Sequence, residues 1–262
     1  MVLVDSHCHL DASELDHDRD AVIRRARAAG VERQIVPAVD AAGWPKLRDI
    51  CAADAGLFPA YGLHPMFLSS HRDSHLAELH DWVARERPVA IGECGLDYFV
   101  EGLDAEVQQR FFEGQLVLAR DFDLPVIVHA RRAVDAVIAA IKRIGGAGSS
   151  RGLRGVVHSF SGSIEQARQL WDLDFLIGLG GPVTYDRAKR LHRLVAEMPL
   201  DRLLLETDSP DQPDSEIRGQ RNEPARLIFI CETIARLRGE EPSTIASATT
   251  RNAERLFGIG GS

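Results

Sequence analysis

The 262-residue chain predicts an α/β protein, a (β/α)8 TIM barrel with a metal site at the C-terminal ends of its strands. Three observations predict it. Short apolar runs alternate with longer segments of helical periodicity, the pattern of repeated βα units and a parallel sheet; eight such units can be counted, about 33 residues each, which suits a closed barrel. Five of the runs lead into histidines or carboxylates: MVLVDSHCHL into His7 and His9, VAIGE into Glu93, PVIVH into His129, LRGVVH into His158 and RLLLETD into Asp208. Those residues fall at the carboxyl ends of strands 1, 4, 5, 6 and 8, and in a closed barrel these ends ring one mouth. In an open doubly wound sheet, the alternative, neighbouring strands about 4.8 Å apart would spread the same residues over tens of ångströms.

The elements follow in order. After the first strand, residues 18–29 carry Ala, Val and Ile at helical spacing and stop at Gly30, a C-terminal signal. RQIVPAVD is the second strand and residues 41–53 its helix; LFPAYGLHP is the third, ending at His64 before a proline. Ser74 is expected to cap a helix running to about Glu86, Pro88 punctuates, and VAIGECGLD supplies the fourth strand and the start of its loop. Residues 104–121 form a long amphipathic helix with Val107, Phe111, Leu116 and Ala119 inward. PVIVH is the fifth strand, residues 134–144 the next helix, and GGAGSS a flexible loop at the bottom of the barrel. GVVHSF is the sixth strand; Ser163, with Glu165 and Gln166 in the first turn, opens the following helix as capping chemistry prefers. FLIGLGG, a helix over 186–198 and RLLLETD complete the eight units. The polar, proline-rich loop at 209–223 is too long to be a simple connection, and two helices, near 224–237 and 242–257, close the chain.

Composition bounds the function. The length and the convergence of ligands from both halves predict one domain, residues 1–262. With 45% hydrophobic and 27% charged residues the chain is of the ordinary globular class. A net charge of -8 argues against a broad basic surface that coats DNA, without excluding a local nucleic-acid site. No signal-like segment follows Met1 and no apolar run approaches membrane-spanning length, so a cytoplasmic protein with no membrane partner is expected, and no obligate protein partner is evident. The cysteines Cys8, Cys51, Cys94 and Cys231 lack CxxC spacing, and reduced thiols are expected. Cys8 and Cys94 adjoin candidate ligands, but strand alternation turns them to the opposite face as small packing residues.

Side chains two apart in an extended strand point the same way, so His7 and His9 present two imidazoles together. Alone, HxH could equally be chance or a pair of core histidines; the four downstream residues make it a site. Four imidazoles and two carboxylates form a mixed N/O donor set suited to zinc, manganese or similar divalent ions. Six ligands are too many for one catalytic ion with an open position, so two divalent metal ions are expected, Zn, Mn or Mg, with Glu93 as the bridge between ions about 3.5–4 Å apart.

DSHCHL, GLHP at residues 62–65, IGECGLDY at 91–98, PVIVHAR, GVVHSFSGS at 155–163 and LLLETDSP at 203–210, with NEP at 222–224 and RNAERLFG near the end, together resemble the TatD family of metal-dependent deoxyribonucleases over nearly the whole chain. HSFSGS and LLLETDSPD are similar to its YjjV-like branch. The resemblance implies a two-metal barrel of the amidohydrolase superfamily: His7 and His9 on one ion, His129 and His158 on the other, Glu93 bridging, and Asp208 completing the first ion's shell and serving as general base. No strand-borne lysine takes the bridging place, so the carboxylated-lysine variant of that superfamily is not indicated. The activity expected is phosphodiester cleavage in DNA, 3′-to-5′ exonuclease-like, on single-stranded or frayed ends.

His64, Arg131 and Arg221 are candidate substrate-binding residues. His64 would touch the scissile phosphate, unless it is an exposed loop histidine; Arg131 would grip phosphate bidentately, or else pair with Asp97 or Asp135. Relatives often carry an acidic residue after that arginine where this chain has Arg132. The sequence shows no interleaving of aromatic and basic residues of the kind that stacks single strands. Asp211 and Asp214 are expected to be solvated, and His17, His71, His75, His80 and His192 to lie at the surface. Two rival functions remain: hydrolysis of a small ester, amide or phosphoester, favoured if the 209–223 loop closes the mouth, and a non-enzymatic metal-stabilised binding protein.

Overall fold

The computed structural model describes residues 1–145 and 152–260; the GGAGSS loop expected at 145–150 lies outside the described residues except for Gly145. Eight strands run parallel and pair in sequence order: β1 (Leu3–Asp5), β2 (Val31–Pro37), β3 (Leu57–Tyr61), β4 (Ala90–Asp97), β5 (Val126–Arg131), β6 (Gly155–Val157), β7 (Phe175–Leu179) and β8 (Leu203–Leu205). Helices α1 (Arg19–Ala28), α2 (Trp44–Ala52), α3 (Ser74–Glu86), α4 (Ala105–Phe122), α5 (Val134–Gly145), α6 (Ile164–Asp172), α7 (Lys189–Glu197) and α8 (Leu227–Arg238) alternate with them, and α9 (Pro242–Phe257) follows. This is the (β/α)8 barrel.

The seam between the last and first strands closes just beyond their ends. Ser6 N–H donates to the Leu205 carbonyl at 2.9 Å, Asp208 N–H to the His7 carbonyl at 2.8 Å, and His9 N–H to the Ser209 carbonyl at 2.7 Å. A second fastening uses the buried carboxylate of Asp5, which accepts from the Thr207 hydroxyl at 2.6 Å and from the backbone N–H groups of Thr207 and His7 at 3.0 and 3.2 Å. Because a parallel ladder cannot continue through a residue without a backbone partner, these bonds fix His7, His9 and Asp208 side by side.

Period-two alternation divides the core. Val4, Ile35, Ala60, Ala90, Ile127, Val156, Leu176 and Leu204, one from each strand, fill the barrel, and Ala253, Leu256, Phe257 and Ile259 from the C-terminal segment plug its lower end. Their strand neighbours, such as Leu3, Val36, Val128 and Leu205, face the helices in a second, larger cluster that includes Cys8 and Cys94. All four cysteines are buried free thiols.

Boundaries differ from the sequence reading where tertiary contacts decide them. Ser74 is the first residue of α3 rather than its cap, and Asp73 before it makes no side-chain cap bond. Pro224–Arg226 form a 3-10 turn before α8. The Ser163 cap is present in full, its hydroxyl accepting from Gln166 N–H at 3.2 Å while Gln166 Oε1 accepts from Ser163 N–H at 2.9 Å.

Because Phe257 is 5% exposed within the plug, Phe257→Ala is expected to lower the unfolding free energy by about 3–5 kcal/mol, read from urea denaturation. A loss within experimental error would remove the C-terminal segment from the barrel core.

Candidate metal centre and active site

Glu93, within β4, stands at the centre of the mouth and is 2% exposed. Its Oε2 lies 3.1 Å from His7 Nε2 and 3.4 Å from His9 Nε2. Its Oε1 lies 2.8 Å from His158 Nε2, 2.9 Å from His64 Nε2 and 3.2 Å from His129 Nδ1. Asp208 Oδ1 completes the first group, 3.3 and 3.6 Å from the Nε2 atoms of His7 and His9. The rings of His7 and His158, distant in sequence, stack at 3.9 Å between centroids. All six expected ligands therefore converge, and three overlapping sets of donor atoms, His7/His9/Asp208, His7/Glu93/His158 and His64/Glu93/His129, each lie within 4.8 Å of one another.

The hydrogen bonds behind the rings test whether this cluster fits a metal. His9 Nδ1 is 3.1 Å from the Pro37 carbonyl, which can only accept, so Nδ1 carries the proton and Nε2 turns a lone pair to the site. His129 Nε2 donates to Asp97 Oδ2 at 2.9 Å, which likewise turns Nδ1 inward as a lone pair. Inward nitrogens then meet one another, His7 Nε2 with His9 Nε2 at 3.2 Å and His129 Nδ1 with His158 Nε2 at 3.3 Å, beside carboxylate oxygens. Imidazole nitrogens and carboxylate oxygens crowded at that separation, with the lone pairs of His9 and His129 fixed inward and no thiolate among them, are donors for a divalent ion. The residues fit the metal.

His64 differs. Its Nδ1 accepts from Met66 N–H at 3.1 Å, so its neutral form carries the proton on Nε2, directed at Glu93. It is an N–H donor inside the mouth, 5% exposed, not the exposed loop histidine that the sequence left open.

Burial opposes charge throughout the cluster, and neighbours decide the outcome. Burial and the adjacent His158 hold His7 down to about 4. Burial also works against the His158 cation, but Glu93 beside it lifts that group to about 9. Burial would raise the Glu93 and Asp208 carboxyls; the imidazoles around them prevail, holding Glu93 well below the usual carboxylate range and Asp208 down to about 2. Glu206 is the exception: buried, with Oε2 lacking a partner, it is pushed up to about 8.

Several residues of the site carried no assignment from sequence. Asp97 orients His129. Glu206 accepts from Ser159 N–H and lies 3.8 Å from His158 Nδ1, itself buried without a hydrogen-bond partner. Both carboxylates were detectable as acids at the ends of apolar runs. Gln212 gave no signal: its amide donates to Asp208 Oδ2, while its oxygen accepts from the Ser159 hydroxyl at 2.7 Å.

The mouth is a cavity of about 920 Å³ whose lining includes His9, His64, Glu93, His129, Arg131, His158 and Asp208. Arg131 is there as expected, but it pairs with neither Asp97, which holds His129, nor Asp135, which accepts from Gln166; its guanidinium lies 3.7 Å from the centroid of the Phe99 ring. Arg221 corrects the sequence reading. It does not line the cavity, because Asp18 takes both of its terminal nitrogens at 2.7 and 2.8 Å. Asp214 is buried rather than solvated, paired with Arg226 at 2.6 Å. His75 is buried in the first turn of α3, and His71 and His192 are half-buried on the carbonyls of His64 and Val183, whereas His17 and His80 are exposed. Asp211 is exposed at the rim.

The TatD related DNase family matches residues 4–258. The metal-dependent hydrolase YabD of Bacillus subtilis is 38% identical over 98% of this chain and 100% of its own. The 3'-5' ssDNA/RNA exonuclease TatD of Klebsiella pneumoniae is 32% identical over 98% of each chain. The crystal structure of the TatD homologue YjjV from Escherichia coli superposes with a TM-score of 0.92 at 38% identity, covering 98% of both chains. No helix among the described residues is long and apolar enough to cross a membrane. The chain belongs to the TatD related DNase family and is a metal-dependent hydrolase.

Proposed function

We propose that this protein is a phosphodiesterase that trims single-stranded or frayed DNA from its 3′ end, with two divalent ions of the Zn, Mn or Mg type in the mouth. The observation that carries the reading is the division of labour at Glu93: Oε2 faces His7 and His9, Oε1 faces His129 and His158. His7, His9 and Asp208 would hold one ion and His129 and His158 the other, with Glu93 shared. When bound, the ions would polarise the phosphoryl group and lower the pKa of water in the mouth.

The protein's own groups supply the rest. Asp208 directs Oδ1 at the histidine pair and has Oδ2 held by the Gln212 amide, so its carboxylate is fixed where it can take the proton of an attacking water. The water oxygen bonds to phosphorus, the bond to the upstream 3′ oxygen breaks, and that oxygen leaves with the proton that Asp208 received, which restores the carboxylate. His64 offers Nε2–H to a phosphoryl oxygen, and Arg131 adds a positive charge on the wall.

The long loop favours a strand over a small molecule. Arg221 and Glu223 tie it to Asp18 and Arg25 of the first helical unit, Asp214 ties it to Arg226, and Pro210, Asp211 and Gln212 are its residues on the cavity wall. Glu14, Met66, Phe67, Arg131 and Asp211 on the lining are exposed, so the mouth opens to solvent. Relatives named as ssDNA/RNA exonucleases carry the same family sequence over their length.

Asp208→Asn is expected to cut nucleotide release from a 3′-labelled single-stranded oligonucleotide in Mn by about 10²–10⁴-fold with circular dichroism unchanged; a rate within tenfold of the parent would remove Asp208 as the base. Asp97→Asn is expected to weaken zinc binding about 10–100-fold by calorimetric titration, because His129 loses the partner that orients it. Unchanged affinity would leave Asp97 without that role.

A further inference from the structure

Six large apolar side chains are exposed among the described residues. Met1 and Val2 lie at the lower end, where Val2 accepts from Thr250 of α9. Of the other four, Met66 at 45% and Phe67 at 39% line the mouth, and Tyr98 at 41% and Phe99 at 43% follow directly on the end of β4, with Phe99 against Arg131 of the lining. Scattered apolar residues on a surface need no explanation, but a cluster beside a reactive centre does.

Two arginines stand with them. The guanidinium carbons of Arg131 and Arg132 lie 3.7 and 4.6 Å from the Phe99 ring centroid, and neither side chain has a carboxylate partner among the described residues. In a chain of net charge -8, two uncompensated cations at the mouth are a local departure from the global field.

Both aromatic segments are fastened to the reactive centre itself. Asp97, whose Oδ2 holds His129, uses Oδ1 to accept the N–H groups of Phe99 and Val100 at 2.9 and 3.1 Å. The His64 carbonyl accepts Phe67 N–H at 3.1 Å, its Nδ1 accepts Met66 N–H, and the Phe67 ring lies edge-to-face with it at 5.8 Å. The rings are thus exposed yet tethered, the condition for binding with little ordering cost.

We propose that Phe67 and Tyr98 form a platform on which unpaired nucleobases stack, while the linking phosphates meet Arg131 and Arg132, which the Phe99 ring supports. The proposal rests on the phosphodiester reading and specifies how the strand is held. Unpaired bases are the occupant that matches both halves of the patch, since they offer π faces to the rings and anionic links to the cations. Bases within a duplex are already stacked on each other. The interleaving of aromatic and basic residues that the sequence lacks is created by the fold, from loops after β3, β4 and β5.

The test is fluorescence anisotropy with the metal-loaded protein in an Asp208→Asn background, too slow to cleave during the titration, using labelled oligothymidylate and an abasic oligomer of equal length and charge. Oligothymidylate is expected to bind more tightly. Phe67→Ala and Tyr98→Ala should each weaken it about tenfold, the change that ~1.4 kcal/mol of lost stacking corresponds to, and leave the abasic oligomer unchanged. Arg131→Ala and Arg132→Ala should weaken both ligands and each lower the salt slope by about one. Equal affinity of the parent for both oligomers, binding of neither, or equal losses on both in the aromatic variants would overturn the platform. Hydrolysis of methyl p-nitrophenyl phosphate by the unsubstituted protein tests the diester reading separately, so the two can fail independently.

Discussion

The mouth depends on imidazole lone pairs turned inward beside a buried carboxylate. His9 and His129 have their outer nitrogens occupied by the Pro37 carbonyl and the Asp97 carboxylate, so their inner nitrogens have no proton to offer when neutral. Two such rings, with His7 and His158 beside them around one buried carboxylate, form a donor set that a divalent cation completes. A divalent ion bound there would couple its binding to the stability of the barrel, and the two oxygens of Glu93 face different histidine pairs, the disposition on which the two-ion reading rests.

That arrangement depends on a second layer of carboxylates. Asp5 fastens the strand ends that carry His7 and Asp208, Asp97 orients His129, and Glu206 sits behind His158. Three of the ligand-bearing strands are short, β1, β6 and β8 each having three residues, so His7, His9, His158 and Asp208 lie beyond the ladder, where side-chain hydrogen bonds replace sheet bonds as the source of rigidity, whereas Glu93 and His129 lie within β4 and β5. The same Asp97 also fixes the Phe99 turn, so reactive centre and rim share one anchor.

The barrel was legible in the sequence because its signals are local. Apolar runs of strand length, helical periodicity between them and polar residues at the run ends are all read within a window of ten residues, and β4, β5 and α9 lie close to where the pattern puts them. The six candidate ligands, which the fold brings together, were legible for the same reason: a histidine or acid ending an apolar strand is conspicuous. Arg221 was misassigned because its partner, Asp18, lies two hundred residues earlier, and charge complementarity across that separation leaves no mark on either segment. Asp214 and His75 were misplaced similarly, since burial of a polar residue depends on a partner that only the fold supplies. Gln212 illustrates the limit most clearly: an amide in a polar loop becomes the support of Asp208 only through the path the loop takes.

Whether Glu93 lies between two cations is measured by anomalous diffraction from crystals grown with manganese or zinc. Two peaks are expected about 3.5–4 Å apart, one beside His7, His9 and Asp208, the other beside His129 and His158, with a Glu93 oxygen toward each. A mouth without any peak, or ions bound only elsewhere on the barrel, would contradict the two-ion reading.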